Sequence, residues 1–234
     1  MIFEDLTMKL FTLVAVALLP FSLARAAGEE PAFRELKSVA VSGAEFAARV
    51  HYDPPSTALV NKPYKRDDVN WTRVLSTPID RKNPQPYEIH YTEGMSGDPM
   101  FRIVKAGASR AAGELAGIEL FLPGNGSAYV SGHTNSLFDH RRKFELKDDK
   151  LVEVKQAFSY VGLASKALRS ITIHADKKLS QPVAIIPAGG ALTVVLNEGE
   201  HYLIKTPFGL LGWIRYSTSA QQADLIEGLY FKGD

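Results

Sequence analysis

The chain contains no cysteine, and its commonest candidates for binding a metal or moving a proton are its six histidines and its 26 acidic residues. Without a thiolate there can be no disulfide, no sulfur metal ligand and no cysteine nucleophile, which removes the thiol endopeptidases and transpeptidases of cell walls. The histidines (His51, His90, His133, His140, His174 and His201) never fall in a His-x-His or His-Glu-x-x-His spacing. No single strand or helix therefore presents a zinc pair. The densest polar cluster is His133-Thr134-Asn135 followed by Asp139-His140-Arg141-Arg142. Its two histidines, with Asp139 between them, could hold a cation, and the adjacent guanidiniums of Arg141 and Arg142 could grip a carboxylate. A solvated connection between two strands is the simpler reading, because no further ligand accompanies the cluster. A hydrolase would have to draw its acid and base from Asp98, Glu114, Glu119 and Asp139, with two carboxylates about 5–9.5 Å apart in one cleft. Chain spacing does not fix that distance.

A second set is aromatic: Tyr202, Phe208, Trp213 and Tyr216. Tyr202 shares a strand face with Ile204 and belongs to a core. Phe208 sits in Thr206-Pro207-Phe208-Gly209, a turn tip, and Trp213 begins the next strand, so with Tyr216 they could form a stacking surface for a glycan or a peptide. The competing reading has Trp213 closing the edge of the fold. No Gly-x-Ser-x-Gly elbow, phosphate-binding glycine loop or calcium loop occurs. No cofactor and no metal are expected.

The elements that position these residues follow from composition and pattern. With 45% hydrophobic and 23% charged residues in 234, the chain can build a sizeable core, and a net charge of +1 gives no field for nucleic acid. Leu10 to Leu23 is an apolar run of signal-peptide length ending before Ala24-Arg25-Ala26, which predicts export and cleavage after Ala26. Met8 starts the leader more cleanly than Met1, since Glu4 and Asp5 precede Lys9. The expected location is periplasmic or secreted, with no membrane anchor after cleavage.

Prolines from Pro31 to Pro99 forbid long helices and predict an irregular segment, with one short helix over Gly43–Val50. The alternation of Tyr87, Ile89 and Tyr91 predicts a strand, and so does Met100–Val104, with loops at Gly94–Pro99 and Gly107–Gly117. Ile118–Leu122 and Ala128–Thr134 flank a Pro-Gly-Asn-Gly turn. Lys143–Leu146 and Leu151–Val154 flank Lys147-Asp148-Asp149-Lys150, the clearest hairpin. Ala223, Ile226 and Leu229 predict a short C-terminal helix packed back on the protein.

The last third carries five short strands closed by turn residues: Ile171–Asp176, Pro182–Pro187, Gly189–Leu196, Glu198–Thr206 and Gly212–Arg215. This succession, ending in Gly209 and Gly212-Trp213-Ile214, resembles the bacterial SH3-like domain family over about residues 168–216. The asparagine-arginine-glycine motif common in that family's first strand is replaced by Ile173-His174-Ala175-Asp176. The resemblance implies a five-stranded barrel and an association with peptidoglycan. The expected protein is mainly β with few short helices: a signal peptide over 1–26, an irregular β-rich domain over 27–160, and an SH3-like barrel with a docked C-terminal segment over 165–234. Its expected role is non-enzymatic binding of peptidoglycan or an envelope protein. A hydrolase built on the N-terminal carboxylates and a barrel acting only as scaffold are the alternatives.

Overall fold

A computed structural model describes residues 31–33, 35–132 and 135–233. The leader, its cleavage site and both candidate start residues lie outside the described residues. The described residues are mainly β, with 17 strands in three sheets. The strands of the first half are β1 (Lys37–Ala40), β2 (Arg49–Tyr52), β3 (Ala58–Arg66), β4 (Val69–Asp80), β5 (Asn83–Thr92), β6 (Met100–Lys105), β7 (Ala111–Ala116), β8 (Glu119–Leu122) and β9 (Ser127–Gly132). Then come β10 (His140–Lys147), β11 (Lys150–Val154), β12 (Ser159–Lys166), β13 (Ile171–His174) and β14 (Pro182–Ile186). The last three are β15 (Ala191–Glu198), β16 (His201–Lys205) and β17 (Leu211–Arg215).

The first sheet runs β1-β2-β8-β9-β10-β11 and the second β3-β4-β5-β6-β7. One apolar cluster joins them. Val50, Leu120, Val130 and Phe144 from the first sheet pack with Leu75, Ile89, Phe101 and Ile103 from the second, all nearly inaccessible to solvent. This is a sandwich of two sheets whose inner faces form the shared core. Two hairpins close on Asp-Asp pairs with positive φ at both residues, Asp67-Asp68 (52° and 60°) and Asp148-Asp149 (49° and 59°). Positive φ at both central positions matches the right-handed twist of the flanking strands. Asp149 also accepts hydrogen bonds from Tyr87 Oη (2.8 Å) and Lys105 Nζ (2.6 Å), tying the β10–β11 hairpin to the second sheet.

Three expectations for this half are corrected. The segment is regular, not irregular, because its prolines sit where a sheet tolerates a missing N–H. Pro63 lies on edge strand β3, and Pro78 faces Pro86 beside a register shift. Gly43–Val50 is not helical. It is the turn between β1 and β2, with Gly43 at φ 77° and the Val41 amide donating to the Ala48 carbonyl at 2.9 Å. Gly107–Gly117 is not a loop throughout, because β7 runs through it and buries Ala112 and Leu115.

The third sheet runs β12-β15-β16-β17-β13-β14 and has its own core, in which Ile173, Val194, Ile204 and Ile226 are fully buried. All five expected strands are present, joined by β12 as a sixth. The sheet is open: β12 and β14 are its edges, and β13 meets β17 only at His174 and Trp213. No closed barrel is formed among the described residues. Tyr202 and Ile204 point inward as expected, whereas Leu196 is only half-buried, because a register shift between Val194 and Leu196 turns Asn197 inward instead. A β-bulge displaces alternation by one residue. Gly212 is required where β17 crosses β13, since a Cβ there would lie 2.8 Å from the Ile173 Cβ.

The C-terminal helix is also corrected. Residues 220–229 are extended and irregular, and their backbone pairs with another segment: Leu168 donates to the Leu225 carbonyl (2.9 Å) and Glu227 to the Lys166 carbonyl (3.1 Å). Ile226 and Leu229 are nonetheless fully buried, so the segment is docked.

Candidate functional site

Among the described residues, no group of three metal-ligating side chains forms at the polar cluster between β9 and β10, and the middle of the cluster is not solvated. Leu137 and Phe138, the apolar residues inside it, are buried in the core of the third sheet. The Phe138 ring stacks on His140 (centroids 4.3 Å apart) and meets Tyr202 edge-on at 6.3 Å. His140 Nε2 and Ser136 Oγ share a hydrogen bond of 2.8 Å, and burial pushes the His140 pKa below the ordinary 6.5. Asp139 pairs with Lys232 at 3.3 Å, and the Lys232 amide donates to the Ser136 carbonyl. His133 lies outside the described residues; Asn135 is exposed. The loop is a clasp between the sandwich and the third sheet. A lone apolar pair inside a polar run hid that role in the sequence.

Arg141 and Arg142 leave opposite faces of β10, although both border one cavity. Successive residues of β10 point to opposite faces. Arg142 turns inward, its guanidinium over the Phe144 ring and donating to the Ala116 carbonyl at 2.6 Å, and burial lowers its pKa. Arg141 turns outward onto the free face of the first sheet, over the ring of Tyr160 at 5.4 Å. Each of the four carboxylates of the hydrolase reading has its own partner: Asp98 accepts from Ser96, Glu114 faces Arg102, Glu119 approaches His51 and Asp139 pairs with Lys232. No two share a partner among the described residues.

The C-terminal aromatics divide. Phe208 at the β16–β17 tip is 89% exposed, flanked by the partly exposed Leu210 and Leu211. Trp213 is half-buried opposite Leu203, with Lys177 Nζ over its ring at 5.6 Å and Lys177 in turn held by Glu198. Tyr216 is not a surface residue. It is buried, its hydroxyl donates to Asp224, and burial pushes its pKa up to about 12. It belongs to the core beside Tyr202.

A cavity of about 740 Å³ opens on the outer face of the first sheet. His51, Phe121, Tyr129 and Lys143 form one cross-strand row there, and Glu119, Ser131 and Arg141 the next. The short turn Pro31–Phe33 lays the Phe33 ring over this face, stacked on Phe121 at 4.6 Å and edge-on to Tyr129 at 5.0 Å. His51 stacks on Phe121 at 4.1 Å. Of this site the sequence singled out only Glu119, Arg141, Arg142 and the turn that joins β8 to β9, since no local pattern announces the pairing of β2 with β8.

No known protein family matches the chain, and neither a curated protein nor a solved structure does.

Proposed function

We propose that the protein is an exported, non-enzymatic binding protein of the cell envelope whose third sheet is an SH3-like module, and that the Phe208 tip is its docking surface. The observation carrying this reading is the 89% exposure of Phe208. Leaving a phenylalanine in water forgoes roughly 1.5–3 kcal/mol of burial, and here Leu211 and Ile185 of the same sheet are more than half exposed as well. The order of the five strands and the Gly212 crossing support the SH3-like assignment. The apolar, uncharged make-up of the tip favours an envelope protein over a glycan strand, which would call for hydrogen-bonding groups beside the ring.

Two measurements test it. N-terminal sequencing of the protein isolated from its native host should begin at Ala27, outside the cytoplasm. Retention of residues 10–23 in the membrane fraction refutes the export reading. Phe208→Ala should abolish co-purification of an envelope protein with an unchanged melting temperature, and sedimentation with purified peptidoglycan sacculi would instead make the ligand a glycan. Equal capture by both forms makes the module a scaffold.

A further inference from the structure

We propose that the cavity on the outer face of the first sheet binds a small monocarboxylate carrying a flat ring, the ring lying against Phe33 and Tyr129 and the carboxylate on Arg141. This site is separate from the Phe208 tip.

Its volume, about 740 Å³, falls within the usual range for small-molecule sites. The wall is a contiguous set of flat faces, Phe33 on Phe121 on His51 with Tyr129 edge-on, which suits a flat partner by offset or edge-to-face packing.

Charge selects the head group. Lys143 is engaged by Glu145 at 3.2 Å. The outward-facing Arg141 has no carboxylate at ion-pair distance among the described residues, and its planar fork suits a carboxylate in two-point contact. Across Ser131 in the same row stands Glu119, whose negative charge opposes a second anionic group. A single carboxylate is therefore preferred to a dicarboxylate or a phosphate. His51 Nε2 is buried with no hydrogen-bond partner, Glu119 Oε1 standing 3.6 Å away, so the polar groups here do not satisfy one another.

The test titrates the full chain with 2-naphthoate, the neutral isostere 2-naphthamide and naphthalene-2,6-dicarboxylate by calorimetry. Naphthoate should bind saturably, at least ten-fold tighter than the amide and tighter than the diacid. Arg141→Ala should lower naphthoate affinity at least ten-fold and leave the amide unchanged, the amide reporting that the cavity is intact. Glu119→Gln, nearly isosteric, should raise the affinity for naphthoate and more so for the diacid. Absence of saturable binding to the wild type, equal affinity for acid and amide, or indifference of naphthoate to both substitutions would overturn the proposal.

Discussion

Phe138→Ala separates a packing role for the β9–β10 loop from a chemical one. The side chain is 6% exposed in the core of the third sheet. Burying a phenylalanine is worth about 1.5–3 kcal/mol, and its two ring contacts, with Tyr202 and His140, add about 0.5–1.5 kcal/mol each. Truncation should therefore cost about 3–5 kcal/mol, the usual range for a core phenylalanine. Asp139→Ala, one residue on, removes only a half-exposed ion pair with Lys232 and should cost under about 1 kcal/mol. Urea unfolding followed by Trp213 fluorescence in a Trp71→Phe background reports the third sheet alone. At an m-value of about 2 kcal/mol per M, Phe138→Ala should lower the midpoint by about 1.5–2.5 M. If the two substitutions shift it equally and slightly, the loop is a solvated connection and the clasp is refuted.

Gly212→Ala places a methyl group against Ile173 and should cost about 1–3 kcal/mol by overpacking, partly recovered in the Ile173→Val background; an unchanged melting temperature contradicts the close crossing. Arg81→Ala leaves the Asp53 carboxylate, 4% exposed and gripped at 2.6 and 2.5 Å, without its fork. A loss of about 3 kcal/mol is expected, the low end for breaking a buried pair because Arg81 is itself half in solvent. Lys65→Ala, which breaks an exposed pair with Asp68, should leave the melt unchanged. Burial lowers the pKa of His90 and His140, so the unfolded chain binds more protons than the folded one near pH 6. Stability should be full above pH 6.5, fall as the pH drops below it, and stop falling from this cause beneath the folded-state pKa values. His140→Gln should flatten part of that dependence in thermal melts at pH 5 to 8, and an identical profile would rule His140 out.

Local chemistry determined most of the strands. Turn residues and period-two alternation are properties of neighbouring residues, which is why the β10–β11 hairpin and the five strands from Ile171 to Arg215 were legible. The same locality misled at Gly43–Val50 and at 220–229, where apolar spacing suited a helix but the backbone donors and acceptors found partners elsewhere in the chain. Prolines overstated irregularity, because whether a missing N–H matters depends on which strand lies alongside. The site was less legible still. Adjacent arginines read as a pair, yet a strand sends neighbours to opposite faces, and only the face of β10 that meets the core decides that Arg142 lies over Phe144 and Arg141 over Tyr160. Phe138 looked like a minor member of a polar loop until the third sheet supplied its pocket. The cross-strand row from His51 to Lys143 exists only through strand pairing between residues up to 70 positions apart. Sequence sets which residues can pair and which face alternates, but tertiary structure chooses the partners, because burial and hydrogen bonding between distant strands are satisfied together or not at all.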